Sequence, residues 1–568
     1  MLLSINSLVI GDDRLAKESS GQATAAKAEG VIATVQPIAT DAGMAAFQRG
    51  GNAVDAAIWS ALMLGVVDNH NSGIGGGCFI LVRSPDGSFT AIDGRETAPA
   101  AATPDMFQRD GKAVAELSTT GPLAVAVPGA LAAYDLALKT LGRTRIAAAL
   151  NRAANVAEDG FAIDRIYARN LRTTASKLAR FAGSKQTLLK PDGSPYVEGE
   201  TLVQTDLART YRQIASRGID WFYRGEFAQQ VGQWMSSNGG LITADDFASY
   251  QPVIRQPIRT RYREHTIVGF PPPSSGGVHV AQILNILESF DLPGLYRDAP
   301  LQAQHVIVEA MKLAFADRAH WLGDADFVTV PKGLVSKEYG RSLAMRIDPK
   351  RSSEVPSYGD PLPFDPAVFG RHTTHIAAAD EEGYWVAITQ TVNTSFGSKV
   401  IVPGTGVVLN NEMDDFSAQP GVANAFGLVG AENNAVAAGK RPLSSMSPTI
   451  ILGPDDQPVM TVGAAGGPKI ITQVLLMILR CLDGQQTLQD AIAGPRFHHQ
   501  WKPDQVLVEQ ALSPERIDDL KSRGHKIKTI GSSGITQAIA RDNDLGLIGV
   551  HDPRVPGEVG RHARVDSP

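Results

Sequence analysis

Acyl chemistry needs a nucleophile, a group to take its proton, and N–H donors aimed at the oxygen that becomes charged. The second half of this chain holds hydroxyls, amides, acids and a glycine pair in separate clusters: Thr373-Thr374-His375, Thr391-Val392-Asn393, Asn410-Asn411-Glu412-Met413-Asp414-Asp415, Ser444-Ser445 and Gly466-Gly467. Thr373–Ala379 and Tyr384–Val392 are β-prone runs separated by the turn signal Asp380-Glu381-Glu382-Gly383. A hairpin closed there pairs residues whose numbers sum to about 763. Thr373 then lies opposite Gln390 or, with a one-residue bulge, Thr391. On the second strand Thr389, Thr391 and Asn393 share one face by the period of two. By residue type alone, such a cluster is more often a solvated strand end than a reactive centre. Gly466-Gly467-Pro468 precedes an apolar helix expected over Lys469–Leu482. Glycines at a helix start leave N–H groups pointing outward, suited to a developing oxyanion or simply to an ordinary first turn.

Other chemistries lack their residues. There is no G-x-x-x-x-G-K-[ST] for a phosphate cradle, and Gly73-Ile74-Gly75-Gly76-Gly77-Cys78 fails the dinucleotide pattern at its last glycine. H-E-x-x-H and G-x-S-x-G are absent. His372/His375 and His498-His499 have no acidic companion at metal-ligand spacing and read as structural. Cys78 and Cys481, the only cysteines, are too few for a disulfide framework and read as small buried residues.

The elements that must position these clusters come next. Residues 12 to about 30 form a polar, Ala-, Ser- and Lys-rich leader. A helix is expected over Thr40–Arg49, then a second over Ala53–Val67 with Asn52 as its N-cap. Cys78–Arg83 and Phe89–Ile92 read as a hairpin around Pro85-Asp86-Gly87. The middle, from about Met106 to Met345, reads as mostly helical, interrupted by Pro271–Gly277, which suits neither helix nor strand. A proline-rich linker follows Pro349. With 568 residues, 43% hydrophobic and 20% charged, the chain can bury a large core. Its net charge of −6 gives no basic footprint for nucleic acid, and no apolar run reaches the length of a membrane span. The first residues lack a basic region and make a poor secretory signal. The expected compartment is therefore cytoplasmic, or periplasmic if the true start carries a signal peptide.

Taken together and in order, these segments resemble the γ-glutamyltranspeptidase (glutathione hydrolase) family of N-terminal-nucleophile hydrolases. The matching text includes Asn52–Ala57, Asp93-Gly94-Arg95-Glu96-Thr97-Ala98-Pro99, Pro271–Gly277, Thr373-Thr374-His375, Thr391–Gly397, Asn410–Ser417, Arg441–Pro448, Gly466-Gly467 and Pro495–Gln500. The resemblance implies an α+β fold, a four-layer αββα sandwich, made as a proenzyme that cuts itself between His372 and Thr373. Behind a leader of residues 1–30, the products would be a large chain, 31–372, and a small chain, 373–568, which stay together as a heterodimer. It implies Thr373 as nucleophile, Thr391 as its hydrogen-bond partner, and Gly466 and Gly467 as the oxyanion hole. Arg95, Ser444 and Ser445 would take a γ-glutamyl α-carboxylate, and Asn393, Glu412 and Asp415 its α-ammonium. The implied substrates are glutathione and other γ-glutamyl compounds, with water, amino acids or dipeptides as acceptors and no metal or organic cofactor.

Two features depart from the family text. A lid loop at about Gln419–Gly430 carries Phe426 where tyrosine is common. Without the hydroxyl that would latch to Asn393, the lid is expected to open more readily. Asn69-His70-Asn71-Ser72-Gly73 also differs. Two alternatives stay open: an acylase of glutaryl-cephalosporin type on the same fold, and a non-catalytic protein that binds γ-glutamyl peptides. Retained Glu412 and Asp415 favour glutamyl, because a glutaryl group has no amine for them to hold.

Overall fold

The computed structural model describes residues 28–365 and 376–563. His372, Thr373, Thr374 and His375 lie outside the described residues, as does nearly all of the expected leader. Strands used below are β1 (Gly30–Thr34), β2 (Gly77–Arg83), β3 (Phe89–Gly94), β4 (Val253–Arg255), β5 (Ile258–Tyr262) and β6 (His265–Gly269). They continue with β7 (Ala377–Asp380), β8 (Trp385–Thr391), β9 (Thr449–Leu452), β10 (Pro458–Ala465), β11 (Ile535–Asp542), β12 (Gly546–Val550) and β13 (Glu558–His562). Helices are α1 (Pro37–Gln48), α2 (Ala53–Val67), α3 (Arg165–Leu178), α4 (Gly276–Leu287), α5 (Pro300–Trp321) and α6 (Lys469–Leu482).

Two antiparallel sheets form the middle. One runs β13-β1-β7-β8-β2-β3-β4 and the other β12-β11-β10-β9-β6-β5. The period of two sorts their side chains into three apolar layers. Val31, Ala33, Leu81, Ala377, Trp385 and Ala387 face Val268, Ile450, Leu452 and Ile539 between the sheets. Their neighbours Ile32, Ile80, Val82, Val386 and Ile388 point the other way, into α1 and α2. On the far side Ile267, Ile451, Met460 and Val462 pack with α4, α5 and α6. The result is helix, sheet, sheet, helix, the α+β sandwich expected above.

Local signals were read well. Helix α2 spans Ala53–Val67, and the Asn52 side chain accepts from the backbone N–H groups of Val54 and Asp55 while Asp55 accepts from Asn52. Such a reciprocal cap contributes about 1 kcal/mol. Helix α6 has the bounds expected from Pro468. The helical reading of residues 106–345 needs correction: β4, β5 and β6 lie inside it, and β5 shows the buried-exposed alternation of a half-buried strand. The glycine-rich end of Pro271–Gly277 is also helical, since α4 starts at Gly276. The hairpin β7–β8 pairs Ala377 with Ala387 and Ala379 with Trp385, a sum of 764 with no bulge among the described pairs. No helix among the described residues is long and apolar enough to cross a membrane.

Candidate active site

A cavity of about 450 Å³ opens where the two sheets end, lined by Thr391, Asn393, Glu412, Asp415, Phe426, Ser444, Ser445, Gly466 and Gly467. Nine of the residues expected at a site thus meet around one space or directly behind it, the ninth being Arg95. Arg95 leaves β3 into a turn built on Asp93, whose carboxylate accepts from the Arg95 N–H at 2.7 Å and from Arg255 Nε at 2.9 Å. Arg441 donates to the Arg95 carbonyl and locks the same turn. The Arg95 side chain is fully buried. Its Nη1 holds Glu412, its Nη2 holds Asp415 at 2.6 Å, and its Nε donates to the Pro442 carbonyl at 3.1 Å. The sequence reading placed Arg95 at the substrate; the structure sets it behind Glu412 and Asp415, which line the cavity themselves.

Glu96, which sequence reasoning passed over, completes this charge cluster. It is fully buried, its Oε2 lies 3.6 Å from Arg95 Nη1, and it accepts no hydrogen bond from a described donor. A side chain at Gly77 would collide with it. Burial, then the charge of Glu412, pushes the Glu96 carboxyl well above the usual carboxylate range. Burial likewise pushes Glu412 up to about 7 against the pull of Arg95, and raises Asp415. Burial alone would depress Arg95, but Glu412, Asp415 and Glu96 outweigh it and hold the guanidinium above its ordinary value. Burial thus opposes charge most strongly at Glu96, while Glu412 and Asp415 are the acids that bond Arg95 directly. The signal in the sequence was an acid beside an arginine in Asp93–Pro99; its partner, 316 residues away, was not visible.

Ser444 and Ser445 are held by the start of α4 and by α5. Ser275 Oγ donates to the Ser444 carbonyl at 2.7 Å, and Arg318 on α5 donates to both Ser275 Oγ and Ser445 Oγ at 2.9 Å. The Pro271–Gly277 segment is thus a cradle for the serine pair, a role that spacing could not show.

Thr391 ends β8, where its Oγ1 accepts from the Asn393 N–H at 2.8 Å. Asn393 adopts a left-handed φ of 77° and donates its amide to the Asn411 carbonyl at 3.0 Å, which leaves its own carbonyl oxygen as an acceptor. A Cβ at Gly76 would run into the Thr391 carbonyl, so this strand end needs glycine beside it. The segment that departed from the family text braces the same place: the His70 and Asn71 carbonyls accept from Phe396 and Val392 N–H groups, and Asn69 bonds Tyr167.

Gly466 and Gly467 take φ values of 139° and 62°, conformations that residues with a Cβ rarely adopt. Neither N–H donates to another described residue. Gln473 and buried Arg496 fasten the strand end below them: Gln473 bonds the Ala465 carbonyl, and Arg496 bonds Gln473 and Asp552. Phe426 of the loop lies against Gly467, and its carbonyl accepts from Gln500. His498 bonds Thr472 and Gln500, and burial keeps it neutral with a pKa of about 3. No group of potential metal ligands occurs among the described residues.

With this geometry in view, comparison with known proteins is direct. The family model for Gamma-glutamyltranspeptidase matches residues 39–561. The chain is 42% identical to the glutathione hydrolase proenzyme of Escherichia coli strain K12, over 93% of this chain and 90% of that one. It is 35% identical to the acylase ACY 1 proenzyme of Pseudomonas sp. strain SE83, over 96% and 95%. Its fold superposes on the crystal structure of cephalosporin acylase from Bacillus halodurans with a TM-score of 0.84 at 29% identity, covering 97% of this chain and 99% of that one. This chain belongs to the gamma-glutamyltranspeptidase family.

Proposed function

We propose that the protein is a self-cleaving γ-glutamyltransferase and glutathione hydrolase. The observation that carries this reading is a pocket with both signs of charge at one end. Glu412 and Asp415 line it beside Ser444 and Ser445, with Arg95 behind them, and next to them are two glycines whose N–H groups donate to no described residue. A γ-glutamyl group presents an α-ammonium and an α-carboxylate together. The ammonium finds Glu412, Asp415 and the Asn393 carbonyl oxygen. The carboxylate finds the hydroxyls of Ser444 and Ser445, and reaches Arg95 only by displacing part of its pairing with the acids.

In this proposal the chain is cut between His372 and Thr373, giving residues 31–372 and 373–568 as two chains of one heterodimer behind a leader of 1–30. Freed as a terminus, Thr373 has an α-amine of pKa near 8 that takes the proton of its own hydroxyl. The hydroxyl oxygen then bonds the γ-carbonyl carbon, with Gly466 and Gly467 N–H groups on the oxyanion. The amide C–N bond breaks and the leaving amine takes the proton. Water or an amino group next attacks the γ-glutamyl ester, releasing glutamate or a new γ-glutamyl amide and restoring the hydroxyl.

The acylase alternative is decided by turnover of γ-glutamyl against glutaryl p-nitroanilide. The proposal expects the glutamyl compound to be favoured about 100-fold in kcat/KM, since a glutaryl group brings no donor for the acceptors Glu412, Asp415 and the Asn393 carbonyl oxygen. Equal or reversed preference would assign the acylase activity. No turnover of either would leave the binding protein.

Glu412 also sets a pH dependence. Its carboxyl is raised, so it is charged only above about 7. The KM for a γ-glutamyl donor is therefore expected to rise about tenfold from pH 8 to pH 6, as the charged form is lost. Glu412→Gln should flatten that KM profile and leave the kcat limb of the α-amine in place. A KM limb that survives the substitution would assign it to another group.

A further inference from the structure

Beyond the catalytic cavity lies a groove of about 540 Å³ lined by Arg165, Arg169 and Arg172 of α3, with Tyr196 and Arg554. The three α3 arginines are spaced by four and three residues, so they project from one face over about 10 Å of helix. Helix α3 contains no acidic residue between Arg165 and Leu178. All three guanidinium groups are exposed and make no ion pair or hydrogen bond with a described residue. Arg554 differs, being held by Glu509 and Asp552. Among nearby acids, Asp164 is spent capping α3, burial pushes Asp68 up, and Glu198 stands on the rim. Unpaired like charges along a helix face oppose its formation, so a row of three without compensation points to a ligand that supplies the opposite charge.

The groove adjoins the active site through shared walls. It shares Ile166 and Val555 with a smaller cavity of about 100 Å³, which shares Asn71 and Thr389 with the catalytic one. Ile535 lines all three. Ile535 pairs with Ala465, immediately before the glycine pair, so the groove meets the site beside the glycines and not beside Glu412 and Ser444, which do not line it. In the proposed reaction that is the side of the leaving group and the acceptor. Lys469, at the start of α6, adds a cation to the catalytic cavity, and it too has no ion pair among the described residues.

We propose, resting on the function above, that the arginine groove binds the carboxylates of an acidic peptide beyond the scissile amide. Donors and acceptors with several carboxylates on that side are then preferred over neutral ones. The test compares γ-glutamyl-Glu-Glu-Glu with γ-glutamyl-Gln-Gln-Gln-amide as donors, in the parent and in an Arg165→Gln/Arg169→Gln/Arg172→Gln variant. The parent should favour the acidic donor about tenfold in kcat/KM at low ionic strength, the variant by less than about twofold, and high salt should erase the difference. Turnover of γ-glutamyl p-nitroanilide, which has no carboxylate on the leaving side, should be unchanged. The same pair of peptides without the γ-glutamyl unit, used as acceptors, separates an effect on transfer from one on donor binding. No acidic preference in the parent, or a preference that survives in the variant, overturns the proposal. If the anilide itself is inert, the function fails separately. The groove is then read by calorimetry with Glu-Glu-Glu, where binding lost in the variant supports it and equal or absent binding refutes it. Should the triple variant fold poorly, Arg169→Gln alone gives the same readings at smaller amplitude.

Discussion

A Thr373→Ala chain is expected to remain a single 60.3 kDa species at neutral pH and to show no γ-glutamyl turnover. The parent should separate into chains of roughly 39 and 21 kDa, the smaller one beginning at Thr373, by simple proportion of length. Both losses follow from one atom. In the proposed processing, the threonine oxygen bonds the carbonyl carbon of His372, the peptide C–N bond breaks as the nitrogen takes a proton, and water hydrolyses the resulting ester. That same step creates the α-amine that later serves as base, so a residue without the hydroxyl loses maturation and catalysis together. The fall in kcat should be about 10⁴-fold or more, the scale seen when a nucleophile is removed. Thr373→Ser keeps the hydroxyl and should mature more slowly but completely. Intact mass and N-terminal sequencing decide the matter; an Ala variant that matures and turns over substrate would remove Thr373 from both roles.

The second large effect is expected at Arg95. Replacing it with methionine keeps much of the volume but leaves Glu96, Glu412 and Asp415 with no cation between them. Breaking a buried ion pair from one side costs about 3–5 kcal/mol, so a marked drop in Tm should accompany a fall of about 100-fold or more in kcat/KM. The loss should appear mainly in KM, because the proposal sets Arg95 behind the γ-glutamyl end and not at the carbonyl being attacked. A double variant, Arg95→Met with Glu412→Gln, removes the excess charge and should recover much of the stability without recovering activity. Arg95→Lys provides charge but not the fork that holds two acids at once, and should fall between parent and Met. A Met variant as stable and active as the parent would show that the acids do not depend on this guanidinium.

The arginine also shows how differently sequence and structure speak. Features fixed by a few neighbouring residues were legible: Asn52 with Asp55 set the start of α2, Pro468 set the start of α6, and Asp380 to Gly383 closed the β7–β8 turn. These depend on hydrogen bonds and backbone preferences within one or two turns, which residue type controls directly. The strands β4 to β6 were missed inside an otherwise helical region because three short strands gain their stability from neighbours, β6 from β9, β5 from β6 and β4 from β3. The site residues were found by resemblance in nine separate stretches of text, not by anything their spacing required.

What the sequence determined by itself was the inventory: the hydroxyl candidates, the glycine pair, the acids, and the helices and turns that carry them. What only the tertiary structure decided was which charge faces which. Arg95 and Glu412 are separated by more than 300 residues, and their contact exists because β3 and the loop after β8 end at the same edge of one sheet. The Glu96 carboxyl is pushed upward and Arg318 reaches Ser445 for the same reason, since burial and partner distance are properties of packing. A carboxyl has one pKa in water, and only the surroundings into which the chain folds it decide whether it carries a charge.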